Sequence, residues 1–336
     1  MTLRLTNWLL QSPAYVPLPI CAQLGAPLIG CSIRELVSNP AVQSEAVTAL
    51  KETLDLPILM SAMDLSVEAE AMGCQTVFAE DEIPSIVGRR ISDAAQAADF
   101  QPPDVGEGRT GVGPQVVRSL KNRCPETPVL GCMIGPFSLL IRLVGATETF
   151  EITVSDPSLL MNLLEKILPF QITYARAFQA GGADGVVVAE PAAGLLSPRA
   201  MRQFSSDYIR QMVSEVQSDD FVVVLHNCGA KTAHLKPMME TGAGMLHFGS
   251  PMHLPTAAAQ AAPGLLIGGN LDPYAVFVSA SPEEVRSQTE QLLQSCAFAP
   301  HLIPSSGCDL PAHTPIENLR AFLEAVRSAP KAAGSG

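Results

Sequence analysis

The feature that most constrains this chain is an alternation of short apolar runs with stretches of helical periodicity. The runs are Ile58–Ala62, Gln75–Phe78, Val129–Cys132, Gly185–Ala189, Phe221–Leu225, Met245–Phe248, Leu265–Gly268 and Leu302–Ser305. Short runs rich in valine, isoleucine and leucine, bounded by glycine, proline or polar residues, read as buried strands. Strands that alternate with helices build a parallel sheet. Eight such units predict a closed (β/α)8 barrel, the TIM barrel. The helix starts point the same way: Asp156-Pro157, Ser197-Pro198, Ser281-Pro282 and Thr314-Pro315 each set a capping side chain before a proline. Ser281 with Glu284, and Thr314 with Glu317, have capping-box spacing. Residues 156–180 predict one long helix that Pro169 should kink or split.

Residues 1–45 show no clean period and predict an N-terminal cap segment of short helices and loops. Residues 46–330 are expected to form the catalytic barrel, and 331–336 (KAAGSG) a disordered tail. The glycine- and proline-rich stretch from Asp81 to Arg123 predicts a long excursion after the second strand, suited to covering the barrel mouth or meeting a partner. At 336 residues and 47% apolar composition the chain can bury a core of barrel size. Its charge of −12 leaves no basic footprint for nucleic acid or an anionic membrane surface. Pro17, Pro19 and Pro27 interrupt the apolar stretch 16–31, which argues against a spanning helix, and no secretory leader pattern opens the sequence. Eight dispersed cysteines fit a reduced, cytoplasmic protein better than a disulfide framework.

Chemistry concentrates in FVVVLHNCG, residues 221–229. If extended backbone persists to Cys228, His226 and Cys228 share one face, because side chains alternate along a strand. The third candidate is Cys308 in IPSSGCDLP, which also follows an apolar run and a glycine. Strand carboxyl ends carry the chemistry of such barrels, so the three residues can meet over one rim. Ordinary packing also accounts for each residue taken singly. As a set they predict a zinc site with one open tetrahedral position. Two thiolates and a neutral imidazole balance the ion's charge, so an added thiolate leaves the site at −1 and its sulfur electron-rich. That favours thiol alkylation over activation of water. Cys132 ends a strand and could approach the mouth; for it and for Cys21, Cys31, Cys74, Cys124 and Cys296 core packing is the default. His234, His247, His253, His301 and His313 are expected to be surface or satisfied core residues.

Four further residues sit where strands end. Asp64 either caps the helix that starts near Val67 or contacts polar substrate groups. Glu190 is a ligand, a partner for His226 behind the metal, or a surface residue before a turn. Asn270 and Asp272 in GGNLDP are candidate substrate contacts, although Asp272-Pro273 also starts a turn on structural grounds alone.

The pieces MDLSVEAEAMG (63–73), GPFSLL (135–140), GADGVVVAEPAAGLLSP (182–198), LHNCG (225–229), GGNLDP (268–273) and SSGCDLPAHTPIENLRAF (305–322) together resemble the uroporphyrinogen decarboxylase superfamily. Within it they resemble the zinc-dependent methylcobamide:coenzyme M methyltransferases, through H-x-C and the later cysteine before Asp-Leu-Pro. The resemblance implies zinc on His226, Cys228 and Cys308. It also implies methyl transfer from a methylcobamide, a corrinoid carried on a separate small protein, to a thiol such as coenzyme M or homocysteine. Two alternatives stand beside it: a uroporphyrinogen decarboxylase, and a non-catalytic corrinoid- or tetrapyrrole-binding protein. The decarboxylase branch keeps an aspartate where Asp64 stands, but its arginine-rich N-terminal motif is replaced here by YVPLPICAQLGAPLIG. The cobalamin-independent methionine synthases add a glutamate ligand some way after their H-x-C; this chain has MLHFGSP there.

Overall fold

Among the described residues there are nine strands: β1 (Leu59–Met60), β2 (Gln75–Val77), β3 (Ser85–Val87), β4 (Val129–Ile134), β5 (Gly185–Ala189), β6 (Val222–Asn227), β7 (Met245–Phe248), β8 (Leu266–Leu271) and β9 (Leu302–Ser306). In this computed structural model, which describes residues 4–331, seven of them form one parallel sheet in the order β1-β4-β5-β6-β7-β8-β9. Helices follow the strands and pack on the outside, giving the expected α/β barrel.

One strand was expected in the wrong place. Gln75–Phe78 does not enter the barrel; β2 pairs antiparallel with β3 in a separate hairpin. Its exposure pattern explains this, since Gln75 and Val77 face solvent and the segment lacks a second buried face. The free edge of β9 is lined instead by the N-terminal segment. Leu18 N–H donates to the Pro304 carbonyl at 2.9 Å, and Ile20 N–H to Ser306 Oγ at 3.0 Å. Val16, Leu18 and Ile20 alternate into the barrel interior, against Ile58 and Met60 of the β1 side.

The N-terminal residues therefore do more than cap. The helix Arg4–Gln11 inserts Leu5 and Leu9 into the same interior cluster. The boundary drawn at 45/46 falls inside the helix Pro40–Leu54, which packs against the barrel helix Val112–Arg123. That second helix was placed within the excursion; the irregular part in fact lies between β1 and residue 111. The expected C-terminal tail falls mostly on 332–336, outside the described residues. Lys331 itself is fastened, its ammonium donating to the carbonyls of Leu9, Leu10 and Ser12 at the end of the first helix.

The caps on Asp156, Ser197 and Ser281 form as expected, the last as a full capping box. Thr314 does not cap: Pro315 takes the cap position and the helix starts at Ile316. Of the two outcomes expected at Pro169, a kink or a split, the split does not occur: Pro157–Ala180 is one continuous helix with Pro169 inside it. No helix among the described residues is long and apolar enough to cross a membrane.

Alternation along the strands sorts the core. In β6, Val222 and Val224 point into the barrel and Val223 and Leu225 outward to the helices. The next inward position is His226. Likewise Met245 of β7 is followed inward by His247, and Ile303 of β9 by Ser305. The barrel is thus apolar through its middle and changes to a polar layer at the carboxyl ends of the strands.

Candidate metal centre

His226, Cys228 and Cys308 come together at that layer, with one ligand atom from each lying within 4.8 Å of the others. His226 closes β6 and is 1% exposed. Cys228 lies one residue past the strand, in a turn held by Asn227: its Oδ1 accepts from Gly229 N–H at 3.1 Å and its Nδ2 donates to the Glu190 carbonyl at 2.7 Å. Cys308 follows β9, on a loop tied to the N-terminal segment. There Leu310 N–H donates to the Ile20 carbonyl at 2.8 Å, and Gln23 Nε2 to Asp309 Oδ2 at 2.5 Å.

Close packing of glycines lets the two cysteine loops approach. A methyl group on Gly249, just past β7, would lie 2.2 Å from the Cys228 carbonyl oxygen. One on Gly307 would lie 3.1 Å from the Gly249 Cα. Gly249 is therefore wedged between the loops that bear the two thiols.

The donor set fits a zinc-like ion. Cys308 Sγ is 3.6 Å from His226 Nε2, which matches the ~3.6 Å expected between sulfur and nitrogen ligands of one tetrahedral zinc. Thiolate character is built in. The neighbouring Cys308 thiol, and after it His226, hold the Cys228 thiol below the usual thiol range against its burial. The proton retained on Cys308 is held tightly, first by the Cys228 charge and then by burial, so that thiol is driven upward. A soft cation would replace this proton and join both sulfurs.

His226 is held from behind. Its Nδ1 lies 2.8 Å from His247 Nδ1, and His247 Nε2 lies 2.7 Å from Ser305 Oγ, which donates to the Leu18 carbonyl. Burial, with His226 adjacent, keeps His247 well below the usual imidazole range and hence neutral. His247 is a satisfied core histidine, as expected, but its link to His226 was not foreseen. A signal did exist: LHN and LHF end neighbouring parallel strands, and His226 and His247 are register partners.

The other sequence-selected residues are engaged elsewhere. Asp64 Oδ1 accepts from Ser66 N–H at 2.9 Å and from Ser66 Oγ at 2.6 Å, and Oδ2 pairs with the Arg109 guanidinium. Arg109 also donates from Nε to Glu70 at 2.6 Å and covers the Phe78 ring at 4.9 Å, pinning the excursion to the end of β1. Glu190 points away from the trio. Its carboxylate accepts from Phe137 N–H at 2.8 Å and Ser138 N–H at 2.9 Å, capping the helix Pro136–Val144, and from Ser205 Oγ at 2.8 Å. Its backbone meets the His226 strand at both groups, Glu190 N–H donating to the His226 carbonyl at 2.8 Å and its carbonyl accepting from Asn227 Nδ2. Asn270 Nδ2 donates to the carbonyls of Gly249 and Met252, at 3.1 and 2.7 Å, steadying the wedge. Asp272 accepts from Tyr274 N–H, Ala275 N–H and Ser250 Oγ, the turn role its sequence allowed.

Asp309, beside Cys308, was not singled out from sequence. Burial pushes its carboxyl up to about 7, against the hydrogen bond from Gln23, and its Oδ1 is buried without a hydrogen-bond partner. A separate cavity of about 450 Å³ opens at the amino ends of the strands among Trp8, Lys51, Lys121 and Pro128, far from this chemistry.

The fold and the site define an α/β barrel with its candidate chemistry, two cysteine sulfurs and an imidazole, gathered at the carboxyl ends of the strands. Within that class the assignment is direct: the chain belongs to the uroporphyrinogen decarboxylase (URO-D) family, whose profile matches residues 20–329. Among its relatives, methylcobamide:CoM methyltransferase MtbA of Methanosarcina mazei is 27% identical over 269 residues, covering 79% of this chain and 78% of the relative. A uroporphyrinogen decarboxylase of Desulfotalea psychrophila is 24% identical over 301 residues, covering 88% and 87%. A solved methyltransferase from Methanosarcina mazei superposes with a TM-score of 0.86 over 97% of this chain and 98% of its own, at 22% identity, which establishes the shared fold.

Proposed function

We propose that this protein moves a methyl group from a methylated corrinoid, carried by a separate protein, to the sulfur of a small thiol such as coenzyme M or homocysteine. The observation that carries the reading is the convergence of His226, Cys228 and Cys308 within 4.8 Å at the barrel mouth. These three residues would hold zinc, which when bound keeps an added thiol ionised and nucleophilic at neutral pH. In the transfer, the carbon–cobalt bond breaks and a carbon–sulfur bond forms, the corrinoid keeping the electron pair. The chain's own part is to hold the donors in place. Gly249 and Asn270 set the spacing of the cysteine loops, and His247 backs His226. Relatives named as methylcobamide:CoM methyltransferases support the same reading.

The decarboxylase alternative is less well supported. Asp64, the residue that branch would need at the mouth, has its oxygens taken by Ser66 and Arg109. The surface around the mouth is where a corrinoid carrier would dock. Leu195 and Tyr274, on loops after β5 and β8, are exposed there, as are Val77 and Val87 of the excursion hairpin.

The test is to measure bound zinc and then follow loss of the methylcobalamin absorbance with a panel of thiols. Near one zinc per chain and thiol-dependent demethylation are expected. A protein that demethylates equally well after complete zinc removal would refute the assignment, and uroporphyrinogen turnover that survives chelation would favour the decarboxylase.

A further inference from the structure

The polar layer of the barrel contains a directed chain of hydrogen bonds behind the metal-facing imidazole. It begins at the Leu18 carbonyl, which can only accept. Ser305 Oγ reaches that carbonyl and also lies 3.0 Å from the Ser306 carbonyl, so its one proton goes to a carbonyl either way. The oxygen is then left to accept from His247 Nε2–H, 2.7 Å away. With that proton on Nε2, and with a buried ring that meets only His226 and Ser305 and no carboxylate to offset a second proton, His247 has a bare Nδ1, and that atom lies 2.8 Å from His226 Nδ1. His226 must therefore carry its proton on Nδ1, which leaves the Nε2 lone pair facing Cys308 Sγ at 3.6 Å. His226, His247 and Ser305 are each no more than 1% exposed, so water does not compete for these bonds.

We infer that His247, Ser305 and the Leu18 carbonyl form a positioning relay that fixes the tautomer and ring orientation of His226, so that its Nε2 lone pair is presented to the metal. This rests on the trio being the metal site. His247 is a positioning residue: it acts through His226 and touches neither metal nor substrate. The relay also ties the metal site to the N-terminal segment, because its terminal acceptor belongs to residue 18. Gly268 makes room for it, since a methyl group there would lie 3.0 Å from the His247 ring. Groups behind a metal-bound histidine commonly change metal affinity by about 10–100-fold.

The experiment uses the full chain with 15N-labelled histidine, as wild type, His247→Leu, His247→Gln and Ser305→Ala. In metal-free wild type, nitrogen chemical shifts are expected to show His226 protonated at Nδ1 and bare at Nε2. Competition with a chromophoric chelator is expected to show zinc bound about 10–100-fold more weakly by His247→Leu. His247→Gln should recover most of that loss, because an amide still offers an acceptor to His226 and a donor to Ser305. Ser305→Ala, a smaller change in case His247→Leu does not fold, should weaken zinc in the same direction. A His226 proton on Nε2 in the wild type would overturn the relay, as would zinc binding and tautomer that are unchanged in the variants. Wild type that binds no zinc would sink the metal reading, while the nitrogen shifts would still decide the relay.

Discussion

Cys308 Sγ stands 3.6 Å from His226 Nε2 although 82 residues separate the two in sequence. Neither residue could be brought there by local structure alone. β6 delivers the imidazole, β9 delivers the loop after it, and two intervening parallel strands set the distance across the mouth.

This relationship makes the cysteines direct targets. Cys308→Ala and Cys228→Ala should each lower zinc affinity by more than ~100-fold, beyond the range of changes made behind a ligand. Thiol-dependent demethylation of methylcobalamin should fall to background in both. Metal analysis after gel filtration checks the first outcome, and a variant that retains full zinc would remove that cysteine from the ligand set.

Gly249→Ala should damage the same site without touching a ligand. The added methyl would lie 2.2 Å from the Cys228 carbonyl oxygen, so the Cys228 turn must move away from Cys308. Zinc affinity is expected to drop by about tenfold or more, in the manner of a supporting residue. Overpacking should cost about 1–3 kcal/mol of stability. Chelator competition and denaturant unfolding separate the two effects, and wild-type affinity would show that the loops are not coupled through this glycine.

Arg109 holds the excursion through buried charge. Its side chain is 9% exposed and that of Asp64 4%, so removing one partner strands the other. Arg109→Met should destabilise by about 3–5 kcal/mol. Adding Asp64→Asn to it should recover a large part of the loss, because no buried carboxylate is then left unpaired. Zinc content should stay near the wild-type value in the double variant. Unfolding curves and metal analysis would expose the opposite result, in which Asp64 belongs to the site.

Glu68 predicts a pH dependence. It is fully buried, and burial raises its carboxyl from 4.5 to about 8, against the hydrogen bond from Ile134 N–H. Its other oxygen has no partner, and neither has the Oε1 of Gln171, which holds the carbonyl of the same Ile134. Below about pH 4.5 both folded and unfolded chains keep the Glu68 proton and the group is neutral to stability. Between about 4.5 and 8 the unfolded chain ionises first, so stability should fall as pH rises and level off above about 8. Glu68→Gln should flatten that slope and be more stable than wild type at pH 8 by on the order of a few kcal/mol. Denaturant midpoints at several pH values test this; parallel curves for the two proteins would rule it out.

Much of the frame was legible from sequence because it is written in local periodicity. Seven of the eight apolar runs are barrel strands, and Asp156, Ser197 and Ser281 cap the helices they precede. Gln75–Phe78 misled because a short apolar run does not say which edge it will pair with. Its partner, Ser85–Val87, lies only a turn away and forms a hairpin before any longer-range pairing is needed.

The sequence by itself determined the alternation of strands and helices, and the placing of an imidazole and two thiols just where strands end. Those follow from side-chain period and turn chemistry, which act over a few residues. Tertiary structure alone decided which neighbours these groups have. It set His247 behind His226 by parallel register, drew Glu190 to a helix N-terminus, neutralised Asp64 with Arg109, and laid the N-terminal segment along β9. The physical reason is that buried polar groups must find partners, and in a barrel those partners come from strands and loops far apart in the chain.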